Sequence, residues 1–113
     1  LTRVGFTTGE VMVCLIVNGK KLPHADELIS RLTKISGMTS ICLNINTEKT
    51  NKILGPTCKT LWGSPYITDY IGNVKYQIGP LSFFQVNPTQ TKVLYEKAME
   101  YADLKGEETV WDL

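Results

Sequence analysis

Ser82-Phe83-Phe84-Gln85-Val86-Asn87-Pro88 sets two adjacent aromatic rings, a carboxamide and a helix-capping side chain next to one another. A carboxamide offers two donors and an acceptor to a polar cofactor or to the edge of a base. An aromatic ring beside it can stack on that base. The helix that follows leads to Glu108-Thr109-Val110-Trp111-Asp112-Leu113, which reads as a strand ending on an acidic residue. Such a strand commonly feeds a glycine-rich turn that holds a nucleotide-like cofactor. That turn is missing here, so the expectation is a segment of a larger enzyme that stops just short of its cofactor loop.

The elements that must position these residues are legible in the pattern. Arg3 to Phe6 alternates polar and apolar, and Thr8-Gly9 is a turn. Glu10 to Val17 is apolar on both faces, as a central strand should be. Asn18-Gly19 ends that strand, and Pro23 suits the first turn of a helix. Ala25, Leu28, Ile29, Leu32 and Ile35 then fall on one helical face, and Gly37 stops the helix. Thr39 to Asn46 alternates with Ile41, Leu43 and Ile45 on one side. Short strands fit Lys52 to Leu54, Lys59 to Trp62, Tyr66 to Tyr70 and Lys75 to Ile78, with Gly72-Asn73 closing a hairpin between the last two. Asn87 caps the final helix with Pro88 at its first position. Leu94, Ala98, Tyr101 and Ala102 form its apolar stripe, Lys92 and Glu96 pair one turn apart, and Gly106 ends it. The expected class is α+β: a mainly antiparallel sheet with a covering helix, then a helix and strand of the kind that opens a doubly wound domain. The boundary falls between Gly79 and Asn87, giving units 1–79 and 80–113.

Composition narrows the function classes. The chain has 113 residues, 12 Lys+Arg against 11 Asp+Glu, and a hydrophobic fraction of 42%. A near-neutral balance argues against a nucleic-acid binder held mainly by its global field. It leaves room for a few contacts made within a larger basic protein. No run approaches the roughly 18 apolar residues of a membrane span. Cys14, Cys42 and Cys58 are odd in number, and no two sit at metal-clip spacing. Cys14 and Cys42 lie in apolar strands and read as small core residues of a reducing, cytoplasmic compartment. Cys58 follows Pro56 in a loop with Lys59 as its only neighbouring cation, a weak activator, so it too reads as inert.

With those residues in view, the chain resembles the bacterial RNA (uracil-5-)-methyltransferases, above all those acting on 23S ribosomal RNA, with the tRNA enzyme as a relative. The resemblance rests on Ser82 to Pro88, Leu94-Tyr95-Glu96-Lys97-Ala98 and Val110-Trp111-Asp112-Leu113. Upstream, Arg3 to Glu10, Asn44-Ile45-Asn46-Thr47, Asn51 to Gly55 and Lys59 to Gly63 agree with it. The family implies an N-terminal RNA-binding β-barrel, a central α+β domain and a C-terminal Rossmann-like methyltransferase domain. This chain would be the central domain plus the first helix and strand of the catalytic one. The family transfers a methyl group from S-adenosylmethionine to uracil C5, using a cysteine thiolate that adds to C6 and a carboxylate base that removes the C5 proton. The target base must leave its stack to react.

By that resemblance Gln85 matches the family glutamine assigned to S-adenosylmethionine binding, and Phe83 the aromatic position that packs against a flipped or neighbouring base. Asp112 would orient the cofactor turn. The catalytic cysteine and the base belong after Leu113, and the iron–sulfur cluster of some members belongs before Leu1. The segment alone is then expected to be inactive, and to self-associate if its final helix lacks its own partner. Lys49, Lys52 and Lys59, opposed locally by Glu48 alone, are either phosphate contacts or solvated loop lysines. Of the two rings, Phe84 is expected in the core and Phe83 towards the cleft. Trp62 and Trp111 are expected in the core, and His24 at the surface. The rival reading is a self-contained α+β module that binds RNA or protein without catalysis.

Overall fold

The structure is a computed structural model and describes residues 1–111. In chain order the elements are β1 (Thr2–Val4), β2 (Val11–Val17), α1 (Ala25–Leu32), β3 (Met38–Ile45), β4 (Thr57–Gly63), β5 (Ile67–Ile71), β6 (Val74–Ile78) and α2 (Pro88–Ala102). The first four strands form one sheet in the order β1-β2-β3-β4, and β5-β6 form a separate antiparallel hairpin.

The α+β class stands, but the larger sheet is mixed. Its outer pairs, β1 with β2 and β3 with β4, are antiparallel, whereas β2 and β3 run parallel. The cause is α1, which carries the chain back along the sheet before β3 begins, as a parallel connection requires. The parallel centre also explains why β2 is apolar on both faces.

Register then sorts the side chains. Cys14 lies opposite Cys42, and Met12, Cys14 and Cys42 form one buried face. Ile67 and Ile78, paired across the β5-β6 hairpin, close over it. Ile41 and Leu43 point to the opposite face and are also buried. The stripe Ala25, Leu28, Ile29 and Leu32 of α1 is half-buried. The helix ends at Leu32 in i→i+3 turns, however, so Ile35 falls outside it and is exposed, short of the expected stop at Gly37.

Several elements depart from expectation. Pro23 lies ahead of α1 rather than in its first turn, because His24 takes a left-handed conformation (φ 53°) at the N-cap and the helix starts at Ala25. Lys52 to Leu54 is loop, not strand. Asn46 donates to the carbonyls of Lys52 (2.7 Å) and Ile53 (2.9 Å), and such local side-chain bonds compete with a ladder. Trp62 sits on edge strand β4 and is 39% exposed, and Trp111 is 81% exposed, so neither is core. Helix α2 stops at Ala102, with Asp103 left-handed at its C-cap (φ 45°), short of Gly106. Beyond it Glu108 accepts backbone N–H bonds from Lys105 and Gly106. Val110 and Trp111 are not in a strand; an isolated strand has nothing to satisfy its backbone. Asp112 and Leu113 lie outside the described residues.

The start of α2 is as its sequence dictates. The Asn87 side chain accepts from the Gln90 N–H at 3.1 Å, and Pro88 follows. Lys92 and Glu96 approach to 3.7 Å. The stripe of α2 finds little cover: Leu94 and Tyr101 are exposed, and within the helix only Thr91 is buried. Tyr95 and Met99 instead line an open apolar groove against Ile71, Val74 and Tyr76 of the hairpin. With so little packing, the cap matters. Asn87→Ala is expected to cost α2 about 1 kcal/mol, seen as faster amide exchange in its first turn while β2 and β3 are unaffected.

Candidate functional site

The connector between β6 and α2 is built from the β1 side. Gly79 donates to Ser82 Oγ at 3.1 Å and Ser82 N–H returns to the Gly79 carbonyl at 3.3 Å, closing a tight turn. The Arg3 guanidinium on β1 donates to the carbonyls of Ser82 at 2.6 Å and Pro80 at 3.4 Å. Phe84 then packs edge-on against Tyr76, with centroids 5.8 Å apart at 60°, and joins the core. With Phe84 turned inward, Phe83 is left 85% exposed and Val86 93% exposed.

Gln85 is half-buried between two concavities. On one side is a cleft of about 180 Å³ that it shares with Arg3, Phe6 and Phe84. On the other is an open groove along α2, lined by Asn87, Gln90, Leu94 and Lys97. Among the described residues its carboxamide makes no hydrogen bond, and apolar packing does not seal it. Its donors and acceptor are therefore free for a ligand.

The three lysines do not join this site in one cluster. Lys49 and Lys52 are exposed on the loop after β3. Lys59 is exposed on β4, pairing with Leu43 and so facing away from the core side that Cys58 occupies. His24 is exposed.

The cysteines behave as core atoms. Burial raises the Cys14 thiol above its ordinary value, and burial together with the neighbouring Cys14 pushes Cys42 up to about 12. Neither is ionised at neutral pH, so neither is a nucleophile. Cys58 lies on β4 rather than in a loop, half-buried, and its sulfur accepts from Asn44 Nδ2 at 3.1 Å. Among the described residues no group of three or more His, Cys, Asp or Glu side chains is placed to hold a metal ion.

Two anchors emerge that the sequence reading did not single out. Asp69 on β5 is fully buried and accepts the backbone N–H groups of Phe6 and Thr7, each at 2.9 Å. Burial alone would raise its pKa, but the N–H groups of Thr7, Phe6 and Tyr70 with the Thr7 side chain more than offset this. The carboxyl is held below its ordinary value. Asn44 on β3 is equally buried and clasps Gly55, accepting its N–H at 2.7 Å and donating to its carbonyl at 2.9 Å. For Asp69 the signal was available in strand parity, since it shares the inward face of β5 with Ile67. An acidic residue on a buried face demands donors.

No protein-family model matches the chain. Over 99% of its length it is 56% identical to an uncharacterised RNA methyltransferase of Clostridium tetani and 51% identical to one of Halalkalibacterium halodurans. It spans a quarter of the length of each. Among solved structures it resembles the tRNA (uracil-54, C5)-methyltransferase of Pyrococcus abyssi, determined with S-adenosyl-L-homocysteine. The TM-score is 0.69 and the identity 31%, over 88% of this chain and 23% of that one. Matched along nearly its whole length in sequence and along most of it in fold, the chain is similar to a segment of RNA methyltransferases, a tRNA uracil-C5 enzyme among them.

Proposed function

We propose that the chain is the central part of an S-adenosylmethionine-dependent enzyme that methylates C5 of uridine in RNA, with 23S ribosomal RNA in the cytoplasm as its target. One observation carries this reading: Gln85 holds an unengaged carboxamide at the wall of a cleft, beside an exposed aromatic ring, on a connector that Arg3 and Phe84 fix in place. S-adenosylmethionine supplies the methyl group when bound. The work of this chain is to orient. Gln85 would hydrogen-bond the cofactor or the edge of the everted uracil, Phe83 would stack on a base, and Lys49, Lys52 and Lys59 would meet phosphates further along the RNA. The catalytic thiolate and base would come from elsewhere in the enzyme, the division falling at 79/80. The chain by itself would then transfer no methyl group. Its exposed α2 stripe would favour self-association, read as a concentration-dependent mass in sedimentation.

The decisive test is Gln85→Ala in the enzyme that carries this chain. Formation of 5-methyluridine in a 23S transcript is expected to fall by about 10- to 100-fold, the worth of one to two good hydrogen bonds at the transition state, with the melting temperature unchanged. Unaltered turnover would remove Gln85 from the site. Product in tRNA but not in 23S RNA would move the target without touching the chemistry.

A further inference from the structure

Phe6 is 73% exposed, yet its backbone N–H is fixed by a buried carboxylate. It sits at the tip of the turn joining β1 to β2. Asp69 accepts its N–H and that of Thr7. Thr8 Oγ1 donates to the Thr68 carbonyl at 2.6 Å, and Glu10 accepts the Thr68 N–H at 2.6 Å. A Cβ on Gly5 would lie 2.8 Å from the Thr68 carbonyl oxygen, so the turn is pressed directly onto β5. Closing β1 onto β2 requires none of this. The arrangement immobilises a backbone while leaving a large apolar ring in water, which suits a ring that is covered by something else.

The neighbours indicate what covers it. Phe6 shares its cleft with Gln85 and Arg3. Arg3 gives one nitrogen to the connector carbonyls, its Nε is buried without a partner, and among the described residues no carboxylate pairs with it. A flat ring, an uncompensated guanidinium and a free carboxamide in one cleft match an unpaired nucleotide: the ring stacks on the base, and the cation draws the phosphate.

We propose that Phe6 is a rigid stacking platform for an unpaired RNA base adjoining the one received at Gln85. This deepens the function proposed above and rests on it. In the enzyme that carries this chain, Phe6→Ala is expected to raise KM for RNA roughly tenfold, within the range of one base–aromatic stack. The kcat and the affinity for S-adenosylmethionine should stay unchanged. Phe6→Trp should retain RNA affinity. Phe6→Leu, which keeps apolar bulk without a π face, should behave as alanine does. A single-stranded RNA probe carrying 2-aminopurine should be quenched by the wild type and by Phe6→Trp but not by Phe6→Leu. Wild-type affinity and quenching in Phe6→Leu would overturn the platform even if Phe6→Ala folds poorly. The two proposals fail separately: a wild-type enzyme that makes no 5-methyluridine but binds RNA in a Phe6-dependent way keeps the platform and loses the reaction.

Discussion

Asp69→Asn is expected to destabilise the chain by about 3 kcal/mol at pH 7. The two N–H groups of Phe6 and Thr7 each point at one carboxylate oxygen, and hydrogen bonds to a charged group are worth roughly 1.5–3 kcal/mol each. Asparagine can accept one of them but presents an NH₂ to the other, leaving two donors face to face in a site closed to water. The effect carries a pH signature. The folded carboxyl is held below its ordinary value, so its stabilisation is fully present above about pH 4, where the unfolded aspartate is ionised. It is lost as pH falls through the lower, folded value. The stability difference between wild type and Asp69→Asn should therefore be constant from pH 5 to 8 and shrink on acidification. Urea unfolding across that range measures it; equal midpoints at pH 7 would show that the turn does not depend on this carboxylate.

Asn44→Asp should be as damaging, by roughly 3–5 kcal/mol, although only one atom changes. Asn44 Nδ2 donates to the Gly55 carbonyl at 2.9 Å and the Thr57 carbonyl at 3.2 Å, in a site with no solvent exposure. A carboxylate there sets an unpaired charge against two carbonyl oxygens, and an uncompensated buried charge costs several kcal/mol. Leu at the same position removes the charge but still strands the Gly55 N–H and carbonyl, at about 1–3 kcal/mol per group. Gly55 cannot reposition to compensate, because it is packed so closely against the Ile45 carbonyl that no side chain fits. The loss in Asn44→Asp should be greatest at neutral pH and partly relieved in acid, as the new carboxyl regains a proton to donate. Denaturant midpoints at pH 7 and pH 4.5 would show this. A variant as stable as wild type would mean that Asn44 does not clasp the loop.

Both anchors explain how stretches that mark the family resemblance are held in place. Arg3 to Glu10 is a turn stitched to β5 and tied by Arg3 to the connector. Asn44 to Gly55 is a loop hung from two asparagines. Each holds a surface in place.

The parts of this protein written in its sequence are those decided within a few residues. The Asn87-Pro88 start of α2, the Gly72 hairpin turn and the apolar strands β2 and β3 all follow from local propensity and period. The expectation of Phe84 inside and Phe83 outside also holds, through the packing of Phe84 on Tyr76. The parallel pairing of β2 with β3, the exposure of Trp62 and the covering of the core by the β5-β6 hairpin were not legible. Strand order depends on which long-range pairing wins, and neither side of such a pair carries a local mark of its partner. The same holds at the site. The carboxamide of Gln85 can be named from its neighbours in the chain. Its lack of a partner, and its place in one cleft with Arg3 and Phe6, exist only once residues some 60 to 80 positions apart are brought together, because a hydrogen bond across that distance is a property of the folded surface and not of either segment.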